Sequence, residues 1–172
     1  SNVTPISQML AEEKIRHRIC SPSSLAMAVS KIKGLTDIEA NTVWKKLITL
    51  CYDLNINAYG SWPKAIYAAS TFGVLGGIEA HADLESAEKC LELGQPVVCS
   101  IDYAKGKLRG APLASTKGHL VTLIGIEDEQ ILVMDPAAPE KSSIAREYDR
   151  KEFEDAWLRN RGAGYYFCVT SE

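Results

Sequence analysis

Two short apolar runs separated by an acidic turn constrain the fold of this chain most strongly. The runs are Leu120–Ile126 and Ile131–Met134, and the polar residues Glu127–Gln130 lie between them. Runs of this length, rich in Val, Ile and Leu and interrupted by polar residues, predict the two strands of a β-hairpin. Both runs are apolar on both faces, so we expect the hairpin to lie inside a covered sheet.

A histidine and an aspartate flank this hairpin. His119 opens the first strand and Asp135 closes the second. If the turn centres near Glu127, antiparallel pairing places His119 and Asp135 opposite or nearly opposite each other, and Cβ atoms that face each other are roughly 5 Å apart. An imidazole and a carboxylate at one end of a buried sheet are two of the three groups of a nucleophilic triad. The third group would be a nucleophile, and Cys20 is the best candidate.

The sequence after Cys20 predicts a helix that begins at the cysteine. Ser21 is a candidate cap, Pro22 suits the first helical turn, and Gly34 ends a run in which apolar residues recur at helical spacing. Cys20 would then lie at the helix N-terminus. Free backbone N–H groups and the positive end of the helix dipole stabilise a thiolate there, and a nearby imidazolium would stabilise it further.

The rest of the chain predicts helices mainly in the first half and strands in the second. Further helices are expected at 36–51, 63–72, 84–93 and 149–158, with a break at 73–77, and further strands at 78–81, 97–101, 144–148 and 165–169. This segregation favours an α+β fold over alternating βαβ units. The length of 172 residues suits a single domain, so we expect residues 1–172 to form one.

The composition excludes several classes of protein. Hydrophobic residues make up 46% and charged residues 24%, and the net charge of −3 gives no general attraction for nucleic acid. No apolar run approaches the roughly 20 residues of a membrane-spanning helix, and no signal peptide is visible. Because the chain begins at Ser1 rather than at a methionine, removal of a leader or an upstream domain stays an open alternative.

The five cysteines do not form a metal-binding pattern. No CxxC pair is present, and His17 and Cys20 have no second close pair that would complete a zinc site. Cys90, Cys99 and Cys168 lie in apolar helix or strand patterns, where buried thiols that pack as small hydrophobes are expected. Nothing in the sequence calls for a metal or an organic cofactor.

Seven short motifs occur in a fixed order along almost the whole chain. They are Ser7-Gln8, Cys20-Ser21-Pro22-Ser23-Ser24, Gly60-Ser61-Trp62-Pro63, Gly94-Gln95-Pro96-Val97-Val98, Thr116–Val121, Met134-Asp135-Pro136-Ala137-Ala138 and Tyr148–Leu158. Each is modest alone, but the ordered set resembles the bacterial C39-like group of papain-fold cysteine peptidases. Two features depart from the family pattern: Ile19 stands where Trp is often found, and the segment between Gln8 and Cys20 is longer than usual.

The resemblance implies a papain-like fold, in which a helical half carries Cys20 on a central helix and an antiparallel sheet carries His119 and Asp135. It implies a cysteine peptidase that hydrolyses peptide or amide bonds with these three residues. The backbone N–H of Cys20 and the side chain of Gln8 would form the oxyanion hole. The partner would be a peptide or protein substrate. The resemblance also implies a bacterial origin and favours a secreted or periplasmic location, with the cytoplasm as the alternative.

Two other functions stay open on sequence grounds. The same three residues suit an acyl transferase or transpeptidase, and a papain-like domain without chemistry can serve as a peptide-binding module. Each of the four candidate residues also has a non-catalytic alternative. Cys20 and His119 would be core residues, Asp135 would be a turn residue before proline, and Gln8 would be a surface amide.

Overall fold

The helices form most of the first half of the chain. The computed structural model describes residues 3–169, and the side chains of residues 3–167. The helices are α1 (Cys20–Lys33), α2 (Asp37–Cys51), α3 (Trp62–Ser70), α4 (Leu84–Glu92) and α5 (Arg150–Glu154), with a π-helical turn at Asp155–Arg159 and 3₁₀ turns at Gln8–Leu10 and Lys141–Ser143. These bounds follow the sequence predictions closely, except that the helix expected at 149–158 divides into α5 and the π-helical turn.

An antiparallel sheet forms the second half. Its strands are β1 (Val74–Glu79), β2 (Val97–Tyr103), β3 (Thr116–Ile126), β4 (Gln130–Met134), β5 (Ala145–Asp149) and β6 (Gly164–Val169), in the order β1-β6-β2-β3-β4-β5. β3 and β4 are the predicted hairpin. The mixed architecture of helices and an antiparallel sheet confirms the predicted α+β class.

The prediction that residues 73–77 break the third helix, with a strand only from residue 78, was wrong in part. β1 begins at Val74 rather than at Ile78 and runs through two glycines. A Cβ atom at Gly76 would lie 2.8 Å from the carbonyl oxygen of Tyr166 and from the ring of Phe167 on β6. Glycine here permits close approach of two strands, so it belongs to the strand rather than to a turn.

Helix α1 is the centre of the helical half. Its residues Ser21–Ser30 are all buried, because α2, α3 and the sheet surround it. Small side chains allow this packing, and the serines find partners: the Trp44 indole N–H, for example, donates to the Ser23 hydroxyl at 2.9 Å. The helix ends at Gly34, whose φ of 62° is the left-handed conformation that glycine adopts freely.

The strands of the hairpin are buried on both faces, as predicted. Leu120 and Met134 belong to a core shared with α1, α2 and α3. Val121 and Val133 belong to a second core on the opposite face, together with residues of α5 and the π-helical turn. The two faces alternate along each strand, as the period of two requires. β3 is therefore held firmly from both sides.

Candidate active site

The N-terminus of α1 meets β3 at the point where β4 ends. Met134, the last residue of β4, pairs with Thr122, so the part of β3 before Thr122 has no β4 partner. The Leu120 carbonyl instead accepts a hydrogen bond from the Ser24 hydroxyl at 2.8 Å, and the Leu120 N–H is directed to the Cys20 sulfur. Helix α1 thus satisfies backbone groups that β4 leaves open, and this places the thiol beside β3.

Cys20 is the first residue of α1 and is half-buried. The preceding residue, Ile19, provides no side-chain cap. The predicted capping role of Ser21 was wrong, because its hydroxyl is hydrogen-bonded to the Tyr165 hydroxyl at 3.0 Å instead. The first N–H groups of an α-helix have no partner within the helix. Without a capping side chain, the N–H of Cys20 stays available to a bound group.

His119 and Asp135 are in direct contact. The His119 Nε2 atom lies 2.8 Å from Asp135 Oδ1, and both side chains are buried. The imidazole is also hydrogen-bonded to the Cys20 side chain. Because Nε2 is used by Asp135, Nδ1 is the nitrogen left for the sulfur. Direct cross-strand pairing of His119 with Asp135 was a wrong prediction, since the register places Asp135 beyond the Thr122–Met134 pair, opposite Val121.

Two further donors hold the Asp135 carboxylate. The Ala137 N–H donates to Oδ1 at 3.0 Å, and the Tyr148 hydroxyl donates to Oδ2 at 2.8 Å. Tyr148 lies on β5 and is fully buried. Tyr148 was not predicted as a site residue, since an aromatic residue in a strand carries no signal of its partner. Both oxygens of a buried carboxylate are therefore satisfied, as a buried charge requires.

The electrostatics of these side chains favour an ion pair. Burial opposes the charged form of Cys20, but hydrogen bonding and the charge of His119, with the Leu120 N–H, outweigh it and lower the thiol pKa. Burial opposes the imidazolium too, but Asp135 and then Cys20 raise the pKa of His119 to about 10. His119 in turn keeps the pKa of Asp135 low despite burial. All three pKa shifts favour the charged forms, which are thiolate, imidazolium and carboxylate.

Gln8 is buried beside the loop that follows Asp135. Its N–H donates to the Pro136 carbonyl at 2.9 Å, and its side-chain Nε2 donates to the Arg16 carbonyl at 2.7 Å. The acceptor at Arg16 fixes which end of the amide is the NH₂ group. One Nε2 hydrogen is used by Arg16, so the second stays available. The long segment between Gln8 and Cys20 therefore supplies the carbonyl that orients this amide.

The other described thiols differ from Cys20. Burial raises the pKa of Cys51 to about 12 and also raises those of Cys99 and Cys90. Cys51 and Cys99 are buried, Cys90 is half-buried, and the side chain of Cys168 lies outside the described residues. Within residues 3–167, no group of three or more His, Cys, Asp or Glu side chains is arranged to hold a metal ion. None of the described helices is long and apolar enough to span a membrane.

Residues 1–165 match the model of the Peptidase_C39 like family. The chain belongs to this family. The match covers all but the last residues of the chain, and it confirms the resemblance seen in the sequence motifs. No curated protein sequence is significantly similar to the chain.

Solved structures of peptidases share the fold of this C39-like chain. A putative C39-like peptidase from Bacillus anthracis is 18% identical, with a TM-score of 0.65 over 98% of this chain and 96% of that one. The double glycine motif protease of an AMS/PCAT transporter, solved with the leader peptide, is 18% identical, with a TM-score of 0.63 over 98% and 93%. The peptidase domain of Streptococcus ComA, a bi-functional ABC transporter, is 16% identical, with a TM-score of 0.62 over 98% and 100%.

Proposed function

We propose that this C39-like protein is a cysteine peptidase that hydrolyses peptide bonds with Cys20, His119 and Asp135. The observation that carries the proposal is the continuous line of contacts from the Cys20 sulfur through the imidazole to the Asp135 carboxylate. A thiolate at a helix N-terminus beside an imidazolium is a nucleophile prepared for acyl transfer. Family membership supports the same reaction class.

The first half of the reaction forms an acyl-enzyme. The Cys20 thiolate attacks the carbonyl carbon of the scissile amide, and a C–S bond forms as the carbonyl π electrons move to oxygen. When the tetrahedral intermediate collapses, the C–N bond breaks and the leaving amine takes the proton from His119 Nδ1. Asp135 keeps Nε2 protonated and holds the ring in place throughout.

The second half releases the product. Neutral His119 takes a proton from water, the resulting hydroxide equivalent attacks the thioester, and the C–S bond breaks to give a carboxylic acid. The thiolate and the imidazolium are then restored. Each half passes through an oxyanion, for which we assign the Cys20 N–H and the second Nε2 hydrogen of Gln8 as donors.

Peptides are the proposed substrates. One solved structure of this fold, the double glycine motif protease, is a complex with the leader peptide. The Cys20 thiol is half-buried at the N-terminus of α1, and an extended chain that reaches it would present its carbonyl to the Cys20 N–H. No cofactor enters the scheme, because each proton and electron pair stays with the named side chains, water and the substrate.

Selective alkylation tests the nucleophile. Cys20 and Cys90 are both half-buried, but the pKa of Cys20 is lowered and that of Cys90 is raised. Iodoacetamide at pH 6 should therefore label Cys20 faster than Cys90 and faster than free cysteine, as measured by mass spectrometry of tryptic peptides. Cys90→Ala is the control for Cys20→Ala. Labelling of Cys20 no faster than free cysteine would overturn the proposal.

Turnover distinguishes hydrolysis from the two alternatives. A peptide library incubated with wild type and with Cys20→Ala should be cleaved by the wild type alone, with free carboxylic ends in the products. Added amine nucleophiles should leave those ends unchanged. Amine-capped products would instead indicate an acyl transferase, and binding without any cleavage would indicate a non-catalytic module.

A further inference from the structure

Arg161 lies beside the start of β3, which is close in sequence to His119, and has no part in the mechanism above. Its Nε–H donates to the Ser100 hydroxyl at 3.1 Å, and Nη1 donates to the Lys117 carbonyl at 3.4 Å. Its guanidinium carbon lies 6.0 Å from the centre of the Trp62 ring. These contacts come from β2, from the start of β3 and from α3, so the group is held in one place by both halves of the fold.

The guanidinium lies beside Gly118, the residue before His119 on β3. The space beside Gly118, where a side chain would project, faces the Arg161 guanidinium, with Nη2 at 3.7 Å from an added Cβ atom. Gly118 is exposed and directly precedes His119 on β3. Gly118 and Leu120 are two residues apart on β3 and share a face. Leu120 packs in the core against which Cys20 also packs, so the guanidinium lies on the side of β3 that carries the thiol.

Two aromatic rings connect Arg161 with the residue that follows Cys20. The rings of Trp62 and Tyr165 meet edge to face, with centroids 6.4 Å apart. The Tyr165 hydroxyl is hydrogen-bonded to Ser21, the residue after the nucleophile. Trp62 is half-buried and Arg161 is exposed. Trp62 and Arg161 thus form a continuous surface between Tyr165, which contacts Ser21, and Gly118 at the start of β3.

The charge of Arg161 is not neutralised by the protein. Among residues 3–167, no carboxylate lies within salt-bridge distance of it, whereas Arg109 is paired with Glu152 and Arg150 with Glu154. Of the five N–H groups of a guanidinium, two are used by Ser100 and Lys117. Both hydrogens of Nη2 have no acceptor in the described residues. A planar guanidinium with free N–H donors is suited to bind a carboxylate.

We propose that Arg161 and Trp62 form a substrate subsite that selects a carboxylate close to the scissile bond. This inference rests on the proposed peptidase function and names the substrate class: peptides with an acidic side chain near the cleaved bond, or with a free C-terminal carboxylate there. Trp62 packs on the guanidinium and on the aliphatic part of the bound residue, while Arg161 pairs with its charge. The net charge of −3 gives no general attraction for such peptides, so recognition is local.

Matched peptides test the subsite. C-terminally amidated peptides that carry Glu or Gln at each position near the cleaved bond are compared for kcat/KM. A second pair ends near that bond in a free or an amidated C-terminus. We expect one pair to show a preference of about twofold to fivefold for the carboxylate, as an exposed charge pair gives, and the pair that responds identifies the source of the carboxylate.

Variants assign the preference to Arg161. Arg161→Gln should abolish it, and Arg161→Glu should reverse it toward Lys-containing peptides. Arg159→Gln is the matched control: Arg159 is exposed two residues away, and the same charge is removed without any of the contacts to Ser100, Lys117 or Trp62. Equal kcat/KM for charged and neutral peptides in the wild type, or a preference kept in Arg161→Gln, would overturn the proposal.

A binding assay tests the subsite independently of the proposed peptidase activity. Fluorescent Glu and Gln peptides are titrated into Cys20→Ala, which cannot form an acyl-enzyme. Carboxylate-selective binding that Arg161→Gln removes supports the subsite even where the wild type cleaves nothing. Cleavage without carboxylate selectivity in either assay supports the peptidase and refutes the subsite. Rising salt should weaken the selectivity, since exposed charges are screened.

Discussion

Asp135 reaches His119 along a diagonal of the sheet, two residues from direct pairing, and a bulge in β3 makes this contact possible. Leu123 pairs with Val133 and Gly125 with Leu132, so Ile124 is an extra residue in β3. If Ile124 instead paired regularly with Val133, Asp135 would lie opposite Thr122, one position further along β3. Successive side chains point to opposite faces, so Asp135 and His119 would then lie on different faces. The bulge aligns the carboxylate with the imidazole.

Tyr148→Phe tests how much the carboxylate depends on its second donor. The change removes the hydroxyl that donates to Asp135 Oδ2 and leaves a buried charged oxygen without a partner. We expect a loss of about 1–3 kcal/mol in the free energy of unfolding and a fall of roughly threefold to tenfold in kcat/KM. Urea unfolding and peptide turnover measure the two effects. Tyr67→Phe, which removes an exposed hydroxyl, is the control and should change neither quantity.

The same variant should alter the response to acid. Because the folded-state pKa of Asp135 is lowered, its contribution to stability is present above the unfolded value and is lost as pH falls through the folded value. Removing the Tyr148 donor raises the folded pKa, so acid unfolding of Tyr148→Phe should begin at a higher pH. An acid transition identical to that of the wild type would show that the hydroxyl does not stabilise the charge.

The pH dependence of Cys20 reactivity tests the ion pair. The thiol pKa is below its ordinary value because His119 outweighs burial. In His119→Ala, burial and the charge of Asp135 raise the pKa, and of the groups that act on the thiol only the Leu120 N–H still lowers it. The midpoint of iodoacetamide labelling should therefore lie at a higher pH in the variant than in the wild type. Equal midpoints in the two proteins would show that the imidazole does not stabilise the thiolate.

The dependence of kcat/KM on pH should be bell-shaped, with the acidic limb set by Cys20 and the basic limb set by His119. Activity should fall as pH decreases through the lowered pKa of Cys20, because the nucleophile becomes protonated. It should also fall as pH rises through the pKa of His119, which is raised to about 10, because the leaving amine then loses its proton donor. A profile of kcat/KM against pH measures both limbs.

The sequence predicted the elements well because their signals are local. Gly34 ends α1, and Thr36 caps α2 in a capping box with Glu39. Each of these signals lies within one turn of the boundary that it sets. The position of Cys20 at a helix N-terminus followed from the same kind of reasoning, and the structure agrees.

The contacts that complete the site could not be read in this way. The bulge at Ile124 has no local signal in an apolar run, so the register was wrong. The partners Tyr148 and Arg161 lie on other elements, and only the sheet order brings them to Asp135 and Gly118. Such contacts depend on tertiary packing, which periodicity within one segment does not encode.

Ser24→Ala tests the junction between α1 and β3. The Ser24 hydroxyl donates to the Leu120 carbonyl, so the variant leaves a buried carbonyl without that donor. We expect a loss of about 1–3 kcal/mol in the free energy of unfolding, seen as a lower urea midpoint at constant slope. Ser30→Ala is the matched control on the same helix. Its hydroxyl donates to the Met27 carbonyl within the helix, and that carbonyl lies in the intrahelical hydrogen-bond pattern. An equal loss in both variants would contradict a special role for the junction.

Gln8→Ala tests the proposed oxyanion donor, and it does so separately from the proposed nucleophile. The Gln8 amide is buried and oriented by the Arg16 carbonyl, and one Nε2 hydrogen is left for the substrate oxygen. Loss of one such donor typically lowers kcat by about 10²–10³, because the developing negative charge is no longer stabilised. The rate of Cys20 alkylation should stay unchanged, since that reaction forms no oxyanion. Gln8→Glu should lower kcat at least as much, because its carboxylate repels the same charge. Thermal unfolding of each variant checks that the fold is intact, and a change of less than about threefold in kcat in a folded Gln8→Ala protein would remove Gln8 from the mechanism.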